Sequence, residues 1–153
     1  MHRVGGLEKQ DGSGNIDYSP ENHEKMVHLR AAKIAGIAAD IPPATITGDA
    51  DGDVCVLGWG STWAAIDAAV QRTRRAGRKV GWIHLTHLNP LPLNLGELLH
   101  SFPKVIVPEL NLGQLSRLVR AEYLVDARAV TKVQGLPFTA LELEHAIEEA
   151  LES

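Results

Sequence analysis

From residue 54 onward, short apolar runs alternate with amphipathic stretches. Val54-Cys55-Val56-Leu57 is continuous apolar sequence, the signature of a strand buried on both faces. Gly58-Trp59-Gly60 then predicts a turn, and Ser61 is placed to cap a helix that runs through Ala76 and stops at Gly77. Lys79 to Leu85 reads as the next strand, Asn94-Leu95-Gly96-Glu97 as the start of a short helix, and Lys104 to Val107 as another buried strand. Asn111 is positioned to cap a helix to about Tyr123, with Gln114 at its capping-box position. Arg128 to Val133 predicts a last strand, and Thr139 with Glu142 forms a capping box ahead of a helix from Ala140 to Leu151. Strands alternating with helices predict an α/β fold: a parallel, doubly wound sheet with right-handed crossovers.

The first quarter has a different character. Arg3 to Ser19 carries Gly5, Gly6, Gly12 and Gly14 among Asp, Asn and Gln, which predicts a loop or arm. Ser19-Pro20-Glu21 announces a helix to about Ala35, with Met26, Val27, Arg30 and Ile34 on one stripe and Gly36 near its end. Ile41-Pro42-Pro43 halts helical continuation, leaving Ala44 to Thr47 as a short candidate strand. Residues 1–40 are therefore read as an arm and connector helix, and 41–153 as the folded domain.

Composition narrows the class. The 153 residues are 44% hydrophobic and 22% charged, ordinary globular usage, and the net charge of −4 carries no polyanion-binding footprint. The chain length is that of one domain. No apolar run is long enough for a membrane span and no signal peptide is evident, which predicts a cytoplasmic protein without nucleic-acid or membrane partners. The single Cys55 excludes an intrachain disulfide and an all-cysteine iron–sulfur site.

In doubly wound sheets, functional groups gather beyond the carboxyl ends of the strands. Candidates there are Gly58, Gly60 and Ser61; His84, His87 and Asn89; and Glu109, Asn111 and Gln114. Gly58-x-Gly60-Ser61 suits either an anion at a helix N-terminus or simply a tight turn, and it lacks the third glycine of a dinucleotide fingerprint. His84-x-x-His87, with His100 more distant, lacks an identifiable third metal ligand, so anchoring of the Pro90-x-Pro92 loop is the favoured role. Helix capping accounts for Asn111 and Gln114 but leaves Glu109 unexplained. Asp49-x-Asp51-x-Asp53 lacks the glycine and final glutamate of a calcium loop and reads as a solvated turn. The basic run Arg72 to Lys79 suits a helix C-terminus. Cys55 lies in a buried strand where a thiol is inert, and Ser61 lacks a nucleophile elbow. No catalytic residue and no metal ligand set is predicted.

Four segments in order carry a resemblance. They are Gly6-Leu7-Glu8 with Pro20 to Val27, then Leu57-Gly58-Trp59-Gly60-Ser61-Thr62, then His84 to Pro92, then Pro108 to Leu115. The likeness continues through Gln134-Gly135-Leu136-Pro137-Phe138. Together they resemble the C-terminal part of the alpha subunit of 2-oxoacid:ferredoxin oxidoreductases, most like the 2-oxoglutarate enzymes of actinobacteria. The resemblance implies a transketolase C-terminal-like domain, a three-layer α/β/α fold with five strands of which the first, Ala44 to Thr47, is antiparallel. It also implies a parent complex that uses thiamine diphosphate, magnesium, an iron–sulfur cluster and coenzyme A. That complex decarboxylates a 2-oxoacid oxidatively to an acyl-CoA and passes electrons to ferredoxin. Family alpha subunits carry a gamma-like and a pyrimidine-binding domain before this segment, and the diphosphate and cluster ligands lie on the beta subunit. The expectation is a fragment-like domain that binds no cofactor alone, is inactive alone, and partners the remaining alpha-subunit domains and the beta subunit. The competing expectation is a stand-alone anion- or nucleotide-binding α/β domain.

Overall fold

A computed structural model describes residues 6–153; the expectations placed on Arg3 and Gly5 lie outside the described residues. The described residues divide into two compact units, 6–41 with 89–91, and 42–88 with 92–153.

In the smaller unit, the strands β1 (Glu8–Lys9) and β2 (Ile16–Asp17) pair antiparallel and precede the helix α1 (Pro20–Gly36). Pro20 occupies the first turn as expected, but Ser19 makes no side-chain cap. Its N–H instead donates to the Asp17 carboxylate at 2.8 Å, because the chain enters the helix directly from β2. Glu8 accepts from Arg30 at 2.8 Å, and Asn22 donates to the Lys9 carbonyl at 3.1 Å, so polar contacts join hairpin and helix. The Arg30 hydrogen bond holds the Glu8 carboxyl at about 2, well below its ordinary value. The expected apolar stripe is not buried, and Val27 and Ile34 stand exposed. Gly36 is the last residue of the α-helix, where the sequence placed its end, and a 3-10 turn, Ile37–Asp40, follows.

The larger unit contains β3 (Thr47–Gly48), β4 (Val54–Trp59), α2 (Trp63–Arg75), β5 (Val80–Leu85), α3 (Leu95–His100), β6 (Lys104–Glu109), α4 (Gln114–Tyr123), β7 (Ala127–Thr131) and α5 (Ala140–Glu152). Its five-stranded sheet has the order β3-β5-β4-β6-β7, parallel except for β3, which pairs antiparallel with β5. The expected α/β fold with one antiparallel strand is thus present, with that edge at Thr47–Gly48 rather than from Ala44.

Side-chain alternation sorts the strands onto two layers. Val54, Val56, Val80, Trp82 and Ile106 pack with Ile66, Ala69 and Val70 of α2 and Leu143, Ile147 and Ala150 of α5. The alternate positions Leu57, Ile83, Val105 and Val107 are buried on the opposite face, the side of α3 and α4 with their buried Leu95, Leu99, Leu115 and Val119. Gly96 lets these two helices approach closely, since a Cβ there would stand 2.7 Å from the Tyr123 ring. The result is the three-layer α/β/α arrangement. The final helix begins at the expected capping box: Thr139 Oγ1 accepts the Glu142 N–H at 3.2 Å, and the Thr139 N–H donates to the Glu142 carboxylate at 2.7 Å.

Candidate functional site at the switch point of the sheet

The connection leaving β4 reaches β5 on one side, and the chain then returns past β4 to β6 on the other. The carboxyl ends of β4 and β6 therefore flank the point where the winding reverses, which in such sheets opens a crevice. A cleft of about 260 Å³ lies there, with Trp59 to Thr62 on one wall and Leu110, Asn111 and Gln114 on the other. Four of the expected residues, Gly60, Ser61, Asn111 and Gln114, come together in it.

Gly58 sits beneath this cleft, inside β4 rather than in the turn. A Cβ at Gly58 would clash with Ile66 Cδ1 of α2, so a side chain there requires Ile66 to shift. Gly60 makes the turn with φ 60°, a left-handed conformation that favours glycine. Ser61 does not cap α2; it lies within a 3-10 turn, Gly60–Thr62. Thr62 ties that turn: its hydroxyl donates to the Trp59 carbonyl at 2.8 Å and accepts the Trp59 N–H at 3.3 Å.

On the other wall, the four N–H groups at the start of α4 are all consumed internally. Asn111 Oδ1 accepts from Gly113 at 2.8 Å and Gln114 at 2.9 Å. The Glu109 carboxylate accepts from Leu115 at 2.8 Å and Ser116 at 2.9 Å. Glu109 is fully buried, a carboxylate held by a helix N-terminus. This explains the residue that capping rules left over, and it closes that N-terminus to an outside anion. Gln114 contributes a backbone N–H rather than a reciprocal side-chain bond, because Gly113, at φ 86°, occupies the cap position.

The remaining expected residues lie elsewhere. His84 pairs with Gly58 in the parallel register and stacks edge-on against Trp82, ring centroids 6.1 Å apart. Trp82 meets Trp63 in the same way at 5.8 Å. His84 Nδ1 is buried without a hydrogen-bond partner among the described residues, and burial pushes the imidazole pKa below its ordinary value. His87 is exposed, with Nδ1 2.9 Å from Thr86 Oγ1. His100 Nδ1 lies 2.7 Å from its own helix's Gly96 carbonyl. Asn89 belongs to the smaller unit, beside Arg30 and Ile34. The histidines thus form no ligand cluster, and among the described residues no group of three or more His, Cys, Asp or Glu is arranged to hold a metal ion. Burial drives the Cys55 thiol up to about 12, which keeps it protonated.

A second groove of about 430 Å³ runs between α2 and β3 over Trp82. Its Arg74 is already paired with Asp49 at 2.7 Å, and Arg75 with Gln71 at 3.4 Å. The acidic turn and the basic run also pair beyond this groove, Lys79 with Asp51 and Arg78 with Glu148.

Residues 52–145 match the family model of the pyruvate:ferredoxin oxidoreductase core domain II. The chain belongs to this family. As a core domain II chain, it is 52% identical over 151 residues to the 2-oxoglutarate oxidoreductase subunit KorA of Mycobacterium tuberculosis, covering 98% of this chain and 23% of that protein. It is 31% identical over 156 residues to the 2-oxoacid:ferredoxin oxidoreductase 2 subunit alpha of Aeropyrum pernix, covering 98% of this chain and 24% of the relative. The 2-oxoglutarate:ferredoxin oxidoreductase of Magnetococcus marinus, solved with 2-oxoglutarate, coenzyme A and succinyl-CoA bound, superposes with a TM-score of 0.87. That match is at 32% identity and spans 99% of this chain but 27% of the other. A split-gene transketolase, at 21% identity and a TM-score of 0.55, shares the fold. The core domain II chain thus spans about a quarter of the length of these oxidoreductase relatives, and the resemblance drawn from its four segments holds. Trp59, Thr62 and Leu110 were missed as cleft residues; Trp59 between two glycines is the one signal that points to them.

Proposed function

We propose that this chain is the core domain II component of the alpha subunit of a 2-oxoglutarate:ferredoxin oxidoreductase, non-catalytic by itself. The full-length likeness to 2-oxoglutarate oxidoreductase alpha subunits carries the reading. In the whole complex, a 2-oxoacid is decarboxylated oxidatively to acyl-CoA, with thiamine diphosphate, magnesium, an iron–sulfur cluster and coenzyme A, and ferredoxin takes the electrons. The described residues of this chain do not fit those groups: they offer no metal-ligating cluster, one buried cysteine, and a cleft without a cationic side chain. The chemistry is therefore assigned to the other alpha-subunit domains and the beta subunit, in the cytoplasm.

Residues 41–153 pack against those neighbours and hold the cofactor-bearing parts in place, while 1–40 act as arm and connector. Gly60, Ser61, Asn111 and Gln114, with His84, His87 and Asn89, face the neighbours; Gly58 and Glu109 support that edge from beneath. The test is to purify the complex through a tag on this chain and follow 2-oxoglutarate- and CoA-dependent ferredoxin reduction. Activity is expected in the complex and absent from the chain alone. Turnover by the isolated chain, or recovery of no oxidoreductase subunit with it, sinks the reading.

A further inference from the structure

The loops leaving β4, β6 and β7 at their carboxyl ends cover 60–62, 110–113 and 132–139, and Lys132 is their only charged residue. That lysine is 10% exposed and is spent on Glu142 at 2.8 Å and the Pro137 carbonyl at 2.9 Å. The Lys132 N–H donates to the Glu109 carbonyl at 3.0 Å, so the loops after β6 and β7 start side by side. They expose Leu112 (72%), Val133 (63%) and Leu136 (61%), with Leu110 at the rim of the cleft. The turns at the opposite ends of the strands, 48–53 and 76–79, instead carry Asp49, Asp51, Asp53, Arg78 and Lys79.

Large apolar side chains on an edge depleted of charge match the composition of a protein interface core. The edge suits a small anionic ligand poorly, because the first N–H groups of α4 are already taken by Asn111 and Glu109 and the cleft walls hold no cation. We propose that this neutral carboxyl edge, anchored by Leu112 and Leu136, is the face on which the other domains of the same alpha subunit pack, and that the cleft beside Trp59 takes an apolar side chain from them. The inference rests on the function proposed above. The occupant follows from chain length: the Mycobacterium tuberculosis relative carries the other 77% of its residues in the same polypeptide, since this chain spans 23% of it. In a polypeptide built like that relative, covalent continuity gives the other domains a high effective concentration at this edge.

The test places the photo-cross-linker p-benzoylphenylalanine at position 112 or 136 in the chain as expressed in its host. The assembled complex is recovered by tag and illuminated, and the linked peptides are mapped. Cross-links to alpha-subunit residues outside this chain are expected. Cross-links to the beta subunit or to a second copy of this chain, or none in an intact complex, overturn the inference while the parent reading stands. Recovery of no oxidoreductase subunit by the unsubstituted tagged chain overturns the parent reading, and the inference with it. In parallel, Leu112→Asp with Leu136→Asp is expected to leave the unfolding midpoint of the chain within about 2 °C and to cut recovery of the complex by about tenfold or more. Undiminished recovery overturns the inference.

Discussion

The buried carboxylate of Glu109 receives the backbone N–H of Ser116 at 2.9 Å, seven residues along the chain and within the first turn of α4. With the companion bond from Leu115, it fixes the end of β6 to the start of the helix that follows. A hydrogen bond to a charged group contributes about 1.5–3 kcal/mol, and leaving buried donors unpaired costs a similar amount. Glu109→Ala is therefore expected to lower stability by about 3–5 kcal/mol. Glu109→Gln, which retains only one acceptor, should lose somewhat less. Urea unfolding monitored by circular dichroism checks this; a loss under about 1 kcal/mol for Ala would refute the anchoring role.

Gly58 and Ile66 form a second such pair. A methyl group at Gly58 meets Ile66 Cδ1 at 2.2 Å, so Gly58→Ala is expected to cost about 1–3 kcal/mol through overpacking. Ile66→Val removes the obstructing carbon. In a double-mutant cycle, the coupling between the two should be favourable by at least about 0.5 kcal/mol. Simple additivity would place the strain of the Ala variant somewhere else.

Acid stability should depend on Glu142. Lys132 and the Thr139 N–H hold its carboxyl at about 2, below the ordinary 4.5. A carboxylate with a depressed folded pKa contributes stability that is complete above the unfolded value and disappears as pH falls toward the folded one. The unfolding midpoint of the native chain should therefore decline as pH drops from about 4.5 to about 2. Glu142→Gln should start lower at neutral pH and decline less steeply. Parallel curves for the two proteins would remove Lys132–Glu142 from the account.

Burial lowers the pKa of His84, so its imidazole is neutral at pH 7 in the folded chain. Its contribution to stability is complete above the ordinary value of 6.5 and is lost as pH falls through it, since the unfolded chain takes up the proton first. Nitrogen-15 NMR of histidine-labelled protein should give His84 a titration midpoint below 6.5. A midpoint at or above that value would mean the ring gains a partner absent from this structure.

Regular structure was legible where it depends on neighbours in sequence. The alternation of apolar runs with helices located β4, β5 and β6, and Thr139 with Glu142 marked the start of α5 from their spacing alone. Ser19 and Ser61 have the same local signature and cap nothing: the Asp17 carboxylate holds the N–H of Ser19 itself, and Ser61 lies inside a 3-10 turn that Thr62 closes on the Trp59 backbone. Glu109 was visible as unexplained but not as an anchor: its bonds depend on Gly113 adopting a left-handed backbone between the strand and the helix. The meeting of Gly58 with His84 arises only from parallel register between β4 and β5. The cleft, likewise, needs the order of the strands, which no local pattern carries.

The two borders of the sheet bear on how the domain is built into anything larger. β3 offers only two residues, one of them Gly48 with a left-handed backbone. β7, at the other border, carries Arg128, ion-paired with Glu149 at 3.4 Å. A short border and a charged one both discourage a foreign strand from extending the sheet. Growth by backbone pairing, the route toward fibrils and swapped dimers, is thereby obstructed at both sides, and recognition falls to side chains on the connecting loops.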